Sequence, residues 1–192
     1  MSIYISLLRG INVSGQKKVN MKELKSLYET LGLNHVSTYI QSGNIVFSST
    51  GKSTVELSAL IEAAILKHFG FEVPILLLSE TALNNALKQL PFDNISVVEQ
   101  GSQVIFSFLS GVINTDNIVL LNGYLTAGEE LESSVDSNDS ASAKVVYLHC
   151  PNGYGKTKLS NTFLEKKLEV TATSRNLKTV VKLCELAKEC HV

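Results

Sequence analysis

The sequence predicts an α+β protein made of two halves that each run βαββαβ. Short apolar runs of strand length alternate along the chain with amphipathic segments of helix length, helix-start signals precede those segments, and one glycine-containing segment occurs in both halves. A chain of 192 residues can hold one large domain or two small subdomains. We expect an N-terminal subdomain over 1–79 and a second, less regular one over 80–192.

The first half has clear boundaries between its elements. Asn20 and the pair Ser53 and Glu56 are helix N-cap signals, and Gly32 and Gly70 are stop signals. The apolar runs Ile3–Leu8 and 73–78 predict buried strands, and the turn 41–44 predicts a hairpin of strands 36–40 and 45–48. This order is that of the ferredoxin-like arrangement, which we expect for both subdomains.

The second half is harder to interpret. A helix after Ser79, strands at 104–109 and 144–149, a helix from 158 or 160 to 168, a strand at 170–173 and a helix from Asn176 are expected. Residues 116–121 fit either a short helix or a strand. The segment 128–143 is rich in Glu, Ser and Asp, which predicts a mobile loop or a polar edge hairpin.

An internal duplication is indicated by the two segments LLRGINVSGQKKVNMKEL and LHCPNGYGKTKLSNTFL. Five positions of the two segments correspond. Those of the first segment are Gly15, Lys18, Val19, Asn20 and Leu24, and they align in the same order with Gly155, Lys158, Leu159, Ser160 and Leu164 of the second. The alternative is that any junction from strand to helix favours glycine and an N-cap residue. We favour duplication.

Composition restricts the classes of partner. The net charge of −1 argues against nucleic-acid binding, and the longest apolar runs are too short to span a membrane. Three cysteines, an odd number, and an N-terminus without signal-peptide character predict a cytoplasmic protein. A homo-oligomer is left open.

The loop CPNGYGKT is similar to a phosphate-binding loop only in its second part. Gly155, Lys156 and Thr157 fit the pattern, but Cys150 replaces its first glycine and Pro151 lacks a backbone N–H. The run therefore fails as an NTPase signature, and either an anion site at a helix N-terminus or a plain capped loop remains.

Arginine usage suggests where an anion could bind. Among 17 Lys and Arg residues only Arg9 and Arg175 are arginine, and the planar guanidinium suits either bidentate anion binding or hydrogen bonds to loop carbonyls. The predicted ligand-binding set is Arg9, Asn12, Lys18, Gln41, Ser42, Asn44, Lys156, Lys158, Arg175 and Asn176.

Catalysis is not established by the sequence. No metal site is expected because Cys184 and Cys190 point to nearly opposite sides of a helix and the histidines lack ligand spacing. Cys150 is the one thiol with a case for a lowered pKa, although inert burial is favoured. No cofactor is predicted, no catalytic residue can be assigned, and the hairpin lacks the aromatic and basic positions of RNA-binding sheets.

Four motifs together resemble the bacterial domain-of-unknown-function family 1697: LLRGINV with SGQKKVNMKEL, YIQSGNIVF, PNGYGKTKLS and TSRNLKTVVKL. The resemblance implies two ferredoxin-like subdomains but no substrate, cofactor or activity. Its motif positions are Arg9, Gly10, Asn12, Gln41, Ser42, Gly43, Asn44, Arg175 and Asn176. Leu177 stands where members of the family often have Trp, so an aromatic role there is in doubt.

Three functions follow as hypotheses. The first is binding of a small phosphate- or nucleotide-type anion, with Arg9, Lys18, Lys158 and Arg175 as its charges. The second is a protein-interaction or homodimerisation module without catalysis, and the third is nucleic-acid binding through a lysine stripe.

Overall fold

The structure is a computed structural model that describes residues 1–13, 15–111, 113–135 and 143–191. In this part of the chain it contains two four-stranded antiparallel sheets and seven α-helices. By their contacts the residues form two compact units, Met1–Glu80 with Leu183–Val192 and Thr81–Lys182. The predicted division into 1–79 and 80–192 differs from these units, because it assigns the ten residues Leu183–Val192 to the second subdomain.

The first unit contains one complete βαββαβ run. Its elements are β1 (Ser2–Leu8), α1 (Met21–Thr30), β2 (Asn34–Tyr39), β3 (Asn44–Ser49), α2 (Thr54–Phe69) and β4 (Ile75–Ser79). The strand order is β2-β3-β1-β4, with every pair antiparallel. Strand β1 is buried on both of its faces, as its nearly continuous apolar sequence predicts.

The helices of this unit begin and end where the sequence places its signals. The Asn20 side chain accepts hydrogen bonds from Lys22 N and Glu23 N. Ser53 and Glu56 form a reciprocal capping box, and Gly70 ends α2 at a φ of 79°. The apolar faces of α1 and α2 pack on the sheet through Leu24, Tyr28, Leu57, Ile61 and Ile65, all 0% exposed.

The second unit repeats this order of elements. It contains α3 (Glu80–Lys88), α4 (Val97–Gln100), β5 (Val104–Ser110), α5 (Thr115–Leu121), β6 (Glu130–Ser133), β7 (Lys144–His149), α6 (Asn161–Leu168), β8 (Thr171–Asn176) and the start of α7 (Leu177–Glu189). Its strand order is β6-β7-β5-β8, also antiparallel. Its helix-side core includes Ile105, Leu109, Val146, Leu164 and Ala172.

Several ambiguities of the second half are resolved. Residues 115–121 are a helix, and the polar segment after Gly128 contains the edge strand β6, which pairs with β7. Residues 136–142 of that segment lie outside the described residues. The last strand continues to Asn176, so Arg175 is a strand residue and not part of a junction.

The shared topology changes the register of the proposed repeat. Strand β1 occupies the position of β5 in its sheet, and β3 occupies the position of β7. The alignment of the segment after β1 with the segment after β7 therefore joins connections that are not equivalent. The equivalent strands instead align IYISLL with VIFSFL, which places a fully buried serine, Ser6 or Ser107, on the helix side of each central strand.

These two buried serines are satisfied differently. The Ser6 hydroxyl lies 2.9 Å from the buried Tyr28 hydroxyl on α1, whereas Ser107 Oγ lies 2.7 Å from Ser174 Oγ on β8. Burial raises the pKa of Tyr28 far above its usual range, so the phenol stays neutral. The Ser6–Tyr28 bond is thus a neutral hydrogen bond inside an apolar core.

We expect Tyr28→Phe to lower the free energy of unfolding by about 1–3 kcal/mol, because it removes the partner of the buried Ser6 hydroxyl. Ser6→Ala should cost a similar amount, and the double variant should cost less than the sum of the two. Urea unfolding of the four proteins measures this coupling. Strictly additive costs would contradict a direct Ser6–Tyr28 interaction.

Candidate functional site

Two loops of the first unit meet at one end of its sheet. The first is the connection from β1 to α1 and the second is the turn between β2 and β3; we call residues 9–13, 15–20 and 40–43 the Asn12 cluster. Six of the ten predicted ligand-binding residues lie in it or directly beside it: Arg9, Asn12, Lys18, Gln41, Ser42 and Asn44.

Asn12 ties the two loops together with its side chain. Its Nδ2 donates to Val19 O at 3.1 Å and to Gln41 O at 2.8 Å, and its Oδ1 accepts from Val19 N at 2.9 Å. Its backbone N–H donates to Lys17 O at 3.2 Å. Asn12 thus holds backbone groups of both loops, which assigns its amide to structure.

The hairpin turn packs against the end of β1 at Gly43. Leu8 N donates to Gly43 O at 2.8 Å. A Cβ on Gly43 would lie 2.6 Å from Leu8 Cβ and 2.7 Å from Ile11 Cδ1, and φ there is +76°. Both the close approach and the left-handed conformation require glycine.

Asn44 and Ser42 stabilise the same turn. Asn44 is 0% exposed, and its Nδ2 donates to Tyr39 O at 3.0 Å and to Ser42 Oγ at 2.9 Å. The polar residues of the QSGN motif are therefore engaged in the turn itself. Gln41 differs from these residues. Its backbone carbonyl accepts the hydrogen bond from Asn12 Nδ2, and the residue itself is exposed.

Backbone strain is concentrated in this cluster. Asn12, Lys17 and Ile40 have φ values of 54°, 44° and 49°. A β-branched residue such as Ile40 is rarely found in the left-handed region, and such strain persists only where surrounding contacts enforce it. Ile40 is also 51% exposed, so core packing does not account for its conformation.

The surface of the cluster combines cations with apolar side chains. Arg9 is half-buried and its backbone N–H donates to Pro74 O at 2.9 Å. Lys17 Nζ donates to Glu72 O at 2.7 Å, while Lys18 is exposed. Val13, which is 60% exposed, lies between Arg9 and Lys17 in the sequence.

The second unit holds the loop between β7 and α6, residues 150–160. Lys156 and Lys158 are both exposed there. Burial raises the pKa of Cys150 to about 12, and the nearby Glu129 carboxylate acts in the same direction. The thiol is 1% exposed and belongs to the core, which confirms the favoured interpretation of inert burial and not the alternative of a lowered pKa.

Arg175 and Asn176 have structural contacts at the end of β8. Arg175 is only 9% exposed, and its Nη1 donates to Ser174 O at 2.9 Å. Asn176 Oδ1 accepts from Thr179 N at 2.9 Å and so caps α7. That these residues and the Asn12 cluster bind one ligand stays a prediction.

A partly buried polar network in the second unit was missed by the sequence reasoning. Ser174 Oγ donates to Asn161 Oδ1 at 2.6 Å, accepts from Tyr154 OH at 3.2 Å and contacts Ser107 Oγ. The network joins the centre of the sheet to the long loop and to the start of α6. A serine in the middle of an otherwise apolar strand was its one signal in the sequence.

No metal centre is found among residues 1–13, 15–111, 113–135 and 143–191: they contain no group of three or more His, Cys, Asp or Glu side chains able to hold an ion. In the same residues no helix has the length and apolarity needed to cross a membrane.

The comparisons with known proteins agree with the fold. A family model described as "Protein of unknown function (DUF1697)" matches residues 1–136. The solved structure of the conserved bacterial protein SP0830 from Streptococcus pneumoniae is similar, with a TM-score of 0.70 and 26% identity over 97% of this chain and 98% of that chain. No curated protein matches the chain.

We expect Gly43→Ala to destabilise the protein by roughly 2–4 kcal/mol, because it adds overpacking to the cost of a left-handed alanine. Gly51→Ala is the matched control: its φ is +74° but its Cβ would meet open space, so about 1 kcal/mol is expected. Urea denaturation midpoints compare the two. Equal shifts of the two midpoints would contradict the prediction, because they would show that a Cβ at position 43 fits beside Leu8 and Ile11 at no extra cost in stability.

Proposed function

The chain belongs to the DUF1697 family of proteins of unknown function, and we propose that the Asn12 cluster is its binding site for a small ligand that carries a phosphate or a carboxylate. The observation that carries the proposal is the enforced strain of Asn12, Lys17 and Ile40 in one exposed cluster. Strain of this kind is typical of ligand-binding loops, where it preorganises the surface.

The length of the loop supports the same proposal. The connection from β1 to α1 runs over residues 9–20, whereas the equivalent connection from β5 to α5 runs over 111–114. The longer loop is not needed for the topology, since the second unit makes the equivalent connection from strand to helix with fewer residues. Loops longer than the fold requires commonly carry function.

The chemistry of the cluster favours an anion. Its charged side chains, Arg9, Lys17 and Lys18, are all cations, and the turn adds the exposed amide of Gln41. Asn12, Ser42 and Asn44 support the shape of the site by holding backbone groups. The ligand would thus contact Lys18, Gln41 and Arg9.

Two finer statements about the fold accompany this proposal. Each unit is a ferredoxin-like fold and the chain arose by duplication; the support is the matching strand order and the alignment of IYISLL with VIFSFL. The free thiols of Cys150, Cys184 and Cys190 support a reducing compartment such as the cytoplasm.

We expect pyrophosphate and a nucleoside monophosphate to raise the melting temperature of the wild type, because a ligand that binds only the native state stabilises it. Lys18→Gln should weaken binding about tenfold, as loss of a charged hydrogen bond does. Lys22→Gln, an exposed lysine on α1, is the control and should bind like the wild type. Calorimetric titration measures the affinities; equal weakening in both variants would indicate a diffuse charge effect and contradict the proposal.

A second function, a protein-interaction or homodimerisation module, is favoured by the exposed Val13 and Ile40 in the same cluster. Ile40→Asn should raise the free energy of unfolding by about 1 kcal/mol, since Asn tolerates a positive φ better. If the cluster mediates self-association, the variant should also shift sedimentation towards monomer. A wild type that is monomeric at high concentration would eliminate homodimerisation.

A further inference from the structure

The second unit contains a cavity that no part of the anion proposal uses. Its volume is about 540 Å³, within the range of pockets for small ligands. It is lined by residues of α5, of the turn that follows it and of α6: Asn117, Leu120, Leu121, Gly123, Tyr124 and Lys167.

One wall of the cavity is apolar and aromatic. Tyr124 packs edge to face on Phe163 of α6, with ring centroids 4.9 Å apart and an interplanar angle of 68°. Leu121 anchors the wall in the core, whereas Leu120 is 65% exposed. An exposed leucine beside a fixed aromatic ring provides a surface that a planar ligand would cover.

The charge of the cavity comes from one lysine that the aromatic pair holds in place. Lys167 Nζ lies 4.9 Å from the centroid of the Tyr124 ring and 5.7 Å from that of Phe163. Such cation–π contacts restrict the ammonium group while leaving its N–H donors able to bind an anion. Among the residues that the structure describes, no acidic side chain lines the cavity.

We propose that this cavity binds a small aromatic anion, with the ring of the ligand against Leu120 and Tyr124 and its anionic group on Lys167. Asn117 provides an amide at the same wall for a polar substituent. An apolar surface with a few convergent polar groups is the usual composition of a small-molecule site.

A second cavity among the described residues has different chemistry and serves as an internal control. It lies in the first unit, has a volume of about 480 Å³ and is lined by Ala59, Ala63, Leu66 and Pro74 with Glu62 and Glu72 among its other residues. Its described lining has acidic groups and no aromatic ring, so an aromatic anion should not bind there.

The test is an NMR titration of the full chain with phenyl phosphate, inorganic phosphate and benzyl alcohol. We expect phenyl phosphate to shift the amide signals of Gly123 and Tyr124 and to leave those of Ala59 and Ala63 in place. Inorganic phosphate has the anionic group without the ring, and benzyl alcohol has the ring without the anionic group. Each should therefore bind at least tenfold more weakly than phenyl phosphate. Shifts confined to the Asn12 cluster would support only the anion proposal above and overturn this one.

Lys167→Gln should weaken binding of phenyl phosphate about tenfold, while Lys167→Arg, which keeps the cation, should retain most of it. Lys166→Gln is the matched control, because Lys166 is the exposed neighbour on α6 and does not line the cavity. Unchanged amide spectra away from the cavity show that each variant is folded. Equal affinity of Lys167→Gln and wild type, or equal loss in Lys166→Gln, would overturn the proposal.

Discussion

Asn12 is the side chain on which the first unit's loop geometry depends. Its amide satisfies a carbonyl of the hairpin turn and both backbone groups of Val19, and Val19 is buried directly before the N-cap residue of α1. One side chain therefore fixes where the turn lies, where the long loop closes and where the helix begins. Unpaired buried backbone groups are costly, so loss of the two bonds to the buried Val19 would require another arrangement of the loop.

The two units share one order of strands and helices and differ in which connection between them is long. The first unit has it between β1 and α1 and closes the connection from β3 to α2 with residues 50–53; the second has it between β7 and α6, over residues 150–160. Because β1 and β3 are antiparallel, as are β5 and β7, the two loops occupy opposite ends of the common framework. The long loops are thus features in which the two units differ, and binding sites commonly lie on such variable parts of a fold.

Local physics explains what the sequence could predict. Helix caps such as Ser53 with Glu56 act within one turn of chain, and strand β1 was recognisable from its apolar run. The alignment behind the proposed repeat joined connections that are not equivalent, because glycine, lysine and a cap residue serve any junction from strand to helix. Strand β6 depends on pairing with β7, and the Tyr124–Phe163 wall joins residues far apart in sequence, so neither leaves a local pattern. The placement of the ligand set across both units stays a prediction for the same reason.

The residues that make the family recognisable are largely those that shape its loops. Gly43, Asn12 and Asn44 are explained by close packing and by hydrogen bonds to backbone. Resemblance at these positions therefore indicates a shared loop geometry, and the identity of a ligand depends on side chains that the framework does not need. Lys18 and Lys167 are of this kind, because both can be neutralised without removing a buried contact. A relative with the same glycine and asparagines but without these lysines would keep the loop geometry and lack the cations on which the two proposed sites depend.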